Sequence, residues 1–105
     1  MRLVIVGAGD HGRVLLDLAN SAGHEVLGFV QPSADGSHEP VGTVPVIGSL
    51  ARPEAWRVDG LGFSIALGDN ARRRAAWESA LQAGLIPVAL EEAVPARQIR
   101  LIDLR

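Results

Sequence analysis

Leu3-Val4-Ile5-Val6-Gly7-Ala8-Gly9-Asp10-His11-Gly12, near the N-terminus, is an apolar run followed by a Gly-x-Gly-x-x-Gly turn. Valine and isoleucine dominate the run, which is typical of a strand buried in a parallel sheet. Gly7 permits a tight turn, Gly9 lets the backbone approach a ligand, and Gly12 lets the next helix pack closely. The N–H groups of that helix's first turn suit a phosphate. We therefore expect a phosphate-binding strand-turn-helix; the alternative is a glycine-rich turn without a ligand.

The composition restricts the class of protein and its partners. A chain of 105 residues has room for one domain, and 48% hydrophobic with 21% charged residues is ordinary for a globular protein. Ten basic and twelve acidic side chains give a net charge of -2, which provides no attraction to nucleic acid or to an anionic membrane. Two tryptophans and two phenylalanines are too few for a base-stacking surface.

The cysteine count and the N-terminus bear on the cellular compartment. The absence of cysteine excludes disulfides and thiolate metal sites, and it agrees with the cytoplasmic location that we predict. The apolar N-terminal run is too short for the core of a signal peptide, and no run is long enough to span a bilayer.

The first third of the chain is predicted to form a β-α-β unit. A helix over about residues 11–22 places Val14, Leu15 and Leu18 on one face, and Gly23 follows as its C-cap. Residues 26–30 are a second apolar strand, which should run parallel to the first after a right-handed crossover. Residues 33–42 are rich in turn formers, and we interpret them as a mobile surface loop.

A short extended segment and a short helix are expected next. Residues 44–48 form the extended segment, in which Pro45 favours the edge of a sheet or the start of a strand. Ser49 is predicted to cap a helix near residues 50–57, with Pro53 in its first turn and Trp56 facing the core.

The second half repeats the strand-turn-helix pattern. Residues 62–67 are predicted to be a strand, Asp69 or Asn70 an N-cap, and residues 71–83 a helix that ends at Gly84. The predicted buried stripe of this helix consists of Ala76, Trp77, Ala80, Leu81 and Ala83. Residues 85–90 are predicted to be the last strand of the sheet.

These elements predict the fold class and its boundaries. The class is α/β, a small Rossmann-like three-layer fold with a parallel sheet of four to five strands over residues 1–90. Residues 91–105 are a tail with two interpretations, a further strand or a segment that docks on a partner.

Three turns should meet at one edge of this sheet, because ligands of open parallel sheets bind outside the carboxyl ends of the strands. The predicted substrate-binding residues are Gly7, Ala8, Gly9, Asp10, His11, Gly12, Gln31, Pro32, Gly68, Asp69 and Asn70. His11 is either a donor to a phosphate or sugar or an exposed residue of a helix terminus. Asp69 and Asn70 fit helix caps better than direct ligands. Arg72–Arg74 fit solvated side chains better than pyrophosphate contacts.

Gln31 bears on the nature of the ligand. Dinucleotide-binding folds usually have Asp or Glu about 20 residues beyond the glycines, whereas here an amide stands, followed by Pro32. This residue, with no second domain for a substrate, disfavours an NAD-dependent dehydrogenase. His24 and His38 are isolated, so no metal site is predicted. No Ser-His-Asp or paired-carboxylate arrangement predicts a catalytic residue.

Four segments together resemble a known family. They are Val4–Val14, Gly28-Phe29, Val44–Gly48, and Ile65–Asn70 with the three arginines that follow. Their order and spacing are similar to the N-terminal domain of the bacterial sugar O- and N-acyltransferases of the PglD and NeuD type. The resemblance covers about residues 1–90, and its most specific features are the Gly-x-Gly-x-His-Gly core and the Gly-Asp-Asn turn.

The resemblance implies a function for the domain. In that family it binds the UDP-sugar acceptor, and a following left-handed β-helix binds acetyl-CoA and carries the catalytic histidine. The implied nucleotide-sugar contacts are Gly9, Asp10, His11, Gln31, Pro32 and Gly68. The sequence departs from the family at Gln31-Pro32, where an acidic pair is common, and at residues 91–96, where the family continues into the β-helix.

Three functional hypotheses remain open at this stage. The first is a UDP-sugar-binding module of bacterial glycan or polysaccharide biosynthesis, not catalytic by itself. It has no cofactor in this chain, since acetyl-CoA is expected only with the β-helix. The second is an interaction or structural domain that has lost the ligand, working as a homo-oligomer or with a partner on the tail. The third is a small NAD- or CoA-binding Rossmann regulator.

Overall fold

Five parallel strands form the centre of the domain in the computed structural model, which describes residues 1–7, 10–32 and 44–90. In chain order the elements are β1 (Arg2–Val6), α1 (Asp10–Ser21), β2 (Glu25–Gln31), β3 (Val46–Ser49), a 3-10 turn (Pro53–Ala55), β4 (Gly62–Ile65), α2 (Asn70–Gln82) and β5 (Ile86–Pro87). The strand order is β3-β2-β1-β4-β5, and every neighbouring pair is parallel. The predicted Rossmann-like α/β fold is confirmed.

The sheet is covered by one helix on each face. Leu3 and Ile5 of β1 pack in the cluster with α1, whereas Val4 and Val6 point to the cluster that contains Ala76 and Ala80 of α2. These four side chains are all fully buried. This explains why the run is apolar on both sides, as a central parallel strand requires. Each such side chain stabilises the fold by about 1.5–3 kcal/mol through burial.

The ends of both helices agree with the sequence. Gly23 follows α1 and Gly84 follows α2, and their φ angles of 82° and 84° are left-handed. Asp69 is the N-cap of α2, since its carboxylate accepts hydrogen bonds from the backbone N–H groups of Ala71 and Arg72.

The predicted helix near residues 50–57 is wrong. The structure has only the 3-10 turn Pro53–Ala55, preceded by Arg52 and without a side-chain cap, so Ser49 is not an N-cap. The physical reason is Pro53, whose ring disfavours a helical conformation at the preceding residue and so prevents an earlier start. Trp56 nevertheless faces the core as predicted, and its Nε1 donates to the Ser49 carbonyl at 2.9 Å.

The buried stripe of α2 is narrower than predicted. Ala76 and Ala80 are buried, but Trp77 and Leu81 are each 43% exposed, so the placement of both in the core is wrong. Small alanine side chains bring this helix close to the sheet, which leaves the next ridge of the helix outside. Trp77 makes an edge-on contact with Phe63 of the sheet, at 5.2 Å between ring centroids.

Three predictions concern the segments around β3 and β5. β3 is at the sheet edge, as Pro45 indicated. β5 is shorter than the predicted strand over residues 85–90. The N–H groups of Ile86 and Val88 donate to the Leu61 and Phe63 carbonyls, and Pro87 between them faces the open edge of the sheet, where proline is tolerated. The predicted loop over residues 33–42 and the tail over residues 91–105 lie outside the described residues.

Candidate functional site

The carboxyl ends of β1, β2 and β4 lie side by side, because β1 is paired with both of the others. The backbone N–H of Gly7 donates to the Val30 carbonyl at 2.8 Å, and that of Ala66 donates to the Val6 carbonyl at 2.7 Å. The chain proceeds from β1 outward to β2 and β3 and then returns to β4 on the other side of β1. The gap above β1 and β4 is therefore the switch in strand order, where such sheets bind ligands.

The glycine turn after β1 is required by the fold itself. Gly7 has a φ of 95°, and a Cβ built there would lie 2.9 Å from the Ala66 carbonyl oxygen. A Cβ on Gly12 would lie 2.9 Å from Cε1 of the buried Phe29 ring. The predicted roles of these two glycines in turning and in close packing are confirmed. Ala8 and Gly9 lie outside the described residues, and the Asp10 side chain is not described.

The turn after β4 is different, because Gly68 has free space around it. Among the described residues, a Cβ on Gly68 would meet only Cε1 of His11, at 3.7 Å, and the φ of Gly68 is not left-handed. His11, exposed on the first turn of α1, therefore lies beside the Gly-Asp-Asn turn. Both residues, together with Arg73 of α2, line a cavity of about 390 Å³, which we name the switch-point groove.

The first N–H groups of α2 are not open to an anion. The Asp69 carboxylate lies 2.8 Å from the Ala71 nitrogen and 3.3 Å from the Arg72 nitrogen, so it occupies this helix terminus. A bound anion at this edge would therefore face α1, His11 and the side chain of Arg73. No described residue forms an ion pair with Arg73, which leaves its guanidinium available for a charge-assisted hydrogen bond.

A second cavity continues the switch-point groove along α2. It measures about 570 Å³ and shares Leu15, Ile65, Arg73 and Leu90 with the first. We name it the Trp77 groove, because the exposed indole of Trp77 lines it with Asn70 and Arg74. Sequence reasoning placed Trp77 in the core and missed it at this groove. The signal that could have found it is its spacing of four residues from Arg73, which puts both on one helix face.

Gln31 and Pro32 are placed apart from these two grooves. Gln31 is buried at the end of β2 and lines a separate cavity of about 540 Å³ with Gly48, Ser49 and Arg52. Its backbone carbonyl accepts a hydrogen bond from the Leu50 N–H at 2.9 Å. The structure thus brings His11 and Gly68 together and puts Gln31 on the far side of β1. The ligand roles of all these residues remain predictions.

The described residues contain neither a cluster of metal-ligating side chains nor a membrane-spanning helix. No three acidic or histidine side chains converge on a metal position in the described ranges. Neither helix of this part of the chain is long and apolar enough to cross a membrane. His24, whose buried Nδ1 has no hydrogen-bond partner among the described residues, follows α1 at the opposite, amino edge of the sheet.

Sequence comparison with family models identifies the domain. The model of the PglD N-terminal domain matches residues 2–80. The chain belongs to this family. The match covers both strand-turn-helix units, including the turns that form the switch-point groove. None of the curated proteins compared with the chain matches it.

Two solved structures of similar fold are those of acetyltransferases. The acetyltransferase domain of PglB from Neisseria gonorrhoeae, in complex with acetyl coenzyme A, is 30% identical with a TM-score of 0.63, covering 80% of this chain and 40% of that one. GDP-perosamine N-acetyltransferase from Caulobacter crescentus, in complex with CoA and GDP-perosamine, is 28% identical with a TM-score of 0.66, covering 81% and 40%. The present chain thus spans about 40% of the length of these relatives.

Proposed function

We propose that this PglD N-terminal domain binds the nucleotide-sugar acceptor of a sugar acetyltransferase, with the diphosphate in the switch-point groove. The observation that carries the proposal is Gly68. Fold geometry requires glycine at positions 7 and 12, but within the described part of the chain only the edge of His11 lies beside Gly68. A glycine without a packing reason, at the switch in strand order, is explained by the close approach of a ligand.

The chemistry around that space suits a diphosphate. His11 supplies a ring N–H, and Arg73 supplies a guanidinium that reaches the same cavity. An arginine can hold two phosphate oxygens at once, which neutral donors cannot match in strength. The complex of the Caulobacter relative with GDP-perosamine supports a nucleoside diphosphate sugar as the ligand class. The choice between a uridine and a guanosine nucleotide is left to measurement.

Isothermal titration of the domain tests the proposal with UDP-N-acetylglucosamine, GDP-mannose and NADH as probes. We expect a Kd below about 1 mM for one nucleotide sugar, equivalent to about 4 kcal/mol of binding free energy. Affinity should fall as salt is raised, because an exposed ionic contact is screened. Tight binding of NADH with no binding of either sugar nucleotide would instead favour the Rossmann regulator.

Two neighbouring arginines provide a matched pair of variants. Arg73 lines the switch-point groove, whereas Arg72, adjacent on the same helix and equally exposed, lines none of the three grooves described above. Arg73→Ala should weaken binding by roughly tenfold, or about 1.4 kcal/mol, and Arg72→Ala should change it little. Equal effects of the two substitutions would mean that only the net charge matters, which contradicts a contact at the groove.

A further inference from the structure

We infer that the Trp77 groove holds the sugar ring of the nucleotide sugar, with the pyranose stacked on the exposed indole of Trp77. This inference rests on the proposed function, since it takes the diphosphate to lie in the switch-point groove. It concerns a different surface, formed by α2 and the carboxyl ends of β4 and β5. Of the substrate-binding residues predicted from the sequence, Asn70 alone lines this groove.

The direction of the ligand follows from the strand order. In doubly wound folds the ribose lies at the end of the second strand, where Gln31 stands here. A diphosphate above β1 and β4 that extends its nucleoside toward β2 must extend its other substituent toward β4 and β5. The Trp77 groove lies on that side, and it is continuous with the switch-point groove through Arg73.

The spacing along α2 fits one phosphate and one ring. Arg73 and Trp77 are four residues apart, which is about one helical turn and about 6 Å along the axis. An anion held by Arg73 would therefore have its attached group beside the indole. Asn70 and Arg74, on the same side of the helix, supply hydrogen-bond donors that suit sugar hydroxyls.

The groove has the surface expected for a carbohydrate. Leu15, Val88 and Leu90 give it an apolar floor, which suits the C–H face of a pyranose. Ser64 is not a free polar group in that floor, because its hydroxyl donates to the Val88 carbonyl. The edge-on contact with Phe63 holds the indole in position, while 43% of the Trp77 surface stays accessible to a ligand.

Trp77 has no comparable role in stabilising the fold. A core tryptophan of this protein is Trp56, which is 9% exposed and has its Nε1 bonded to the Ser49 carbonyl. Trp77 keeps much of its ring in solvent, at a position where α2 already packs through Ala76 and Ala80. A large exposed aromatic side chain beside a cavity with apolar and polar lining residues is characteristic of ligand sites.

The test compares each sugar nucleotide with the same nucleotide lacking the sugar, using GDP-mannose against GDP and UDP-N-acetylglucosamine against UDP. Trp77→Ala should weaken the binding of the sugar nucleotide by roughly tenfold and leave the affinity for the nucleoside diphosphate within about twofold. Leu81→Ala is the matched control, because Leu81 is equally exposed one turn further along α2 but outside the groove. It should change neither affinity.

A second readout uses the unmodified chain. Trp77 is exposed and Trp56 is buried, so acrylamide quenching of the fluorescence reports mainly on Trp77. The sugar nucleotide should protect it, and the nucleoside diphosphate alone should not. Trp77→Phe, which keeps an aromatic ring against Phe63, guards against a folding defect and should bind the sugar nucleotide with intermediate affinity.

The outcomes separate this inference from the proposed function. If the unmodified domain binds the sugar nucleotide but Trp77→Ala binds it equally well, the sugar lies elsewhere and the inference fails alone. If Trp77→Ala weakens the nucleoside diphosphate as much as the sugar nucleotide, the nucleotide itself occupies this groove, and the assignment is overturned. If the unmodified domain binds neither ligand, the proposed function fails and the inference fails with it.

Discussion

The two glycine-bearing turns at the carboxyl edge look alike in sequence and differ in structure. After β1, a Cβ on Gly7 or Gly12 would approach other protein atoms to 2.9 Å. After β4, the nearest atom of a described residue to a Cβ on Gly68 lies at 3.7 Å and belongs to the exposed side chain of His11. Packing therefore explains why Gly7 and Gly12 are glycines, but it does not explain Gly68.

This difference separates the residues that build the fold from those that are available for binding. Cβ atoms in proteins essentially never lie within 3.0 Å of a non-bonded heavy atom, and a Cβ at Gly7 or Gly12 would do so. A substitution at either position must therefore displace the backbone or a fully buried ring. At Gly68 an alanine side chain fits without displacing anything. Substitutions in the two turns should therefore affect different measurements.

Gly7→Ala should give the largest loss of stability. A left-handed φ costs an alanine about 1–2 kcal/mol, and overpacking against the Ala66 carbonyl adds about 1–3 kcal/mol. We expect the free energy of unfolding, measured in urea, to fall by about 3 kcal/mol. Gly23→Ala is the control, since its φ of 82° is similar but nothing lies within 4 Å. Gly23→Ala should lose only the free energy that the left-handed φ costs, about 1–2 kcal/mol. An equal loss at both positions would mean that packing at Gly7 is unimportant.

Gly12→Ala should have a smaller effect on the same measurement. Contact with the buried Phe29 ring costs about 1–3 kcal/mol, and the better helix propensity of alanine returns about 1 kcal/mol. The expected net loss of unfolding free energy is about 0–2 kcal/mol. Phe29→Leu in the same chain should relieve part of the clash, so the double variant should lose less stability than the sum of the single variants. Strict additivity would contradict the close contact.

Gly68→Ala should leave stability unchanged and reduce binding. The unfolding free energy should stay within about 0.5 kcal/mol of the original, as for a surface substitution without strain. The affinity for the nucleotide sugar should fall by roughly tenfold, or about 1.4 kcal/mol, because the methyl group enters the space proposed for the ligand. Titration calorimetry and urea unfolding on the same sample check both halves. An unchanged affinity would remove the main support for the proposed site.

The sequence was a good guide wherever one residue has one local requirement. The strand at Leu3–Val6, the turn at Gly7 and the C-caps at Gly23 and Gly84 each follow from backbone conformation or from apolar patterning. The carboxyl edge was predictable for the same reason, because parallel strands joined by helices place all their strand-to-helix turns at one edge of the sheet. Family resemblance added the expectation of a nucleotide sugar.

Tertiary packing decided what the sequence could not. The sequence pattern of α2 is compatible with either Ala76 or Trp77 facing the sheet. In the folded domain Ala76 is buried, and Trp77 stays exposed beside Phe63. The separation of Gln31 from His11 depends on the position of β1 between β2 and β4, which no local signal encodes. Whether space remains beside Gly68 is likewise a property of the assembled edge.

Substitutions of Asp69 should have the smallest effects, and they separate the contribution of this residue to stability from its contribution to binding. Its carboxylate caps α2, and Asp69→Ala should lower the unfolding free energy by about 1 kcal/mol. Asp69→Asn keeps an effective cap but removes a negative charge next to Gly68. It should therefore retain stability and bind the anionic ligand about twofold more tightly at low salt, where screening is weakest. A weaker affinity in Asp69→Asn would instead make this carboxylate a direct ligand contact, which would place the sugar or ribose hydroxyls, rather than the diphosphate, beside the turn after β4.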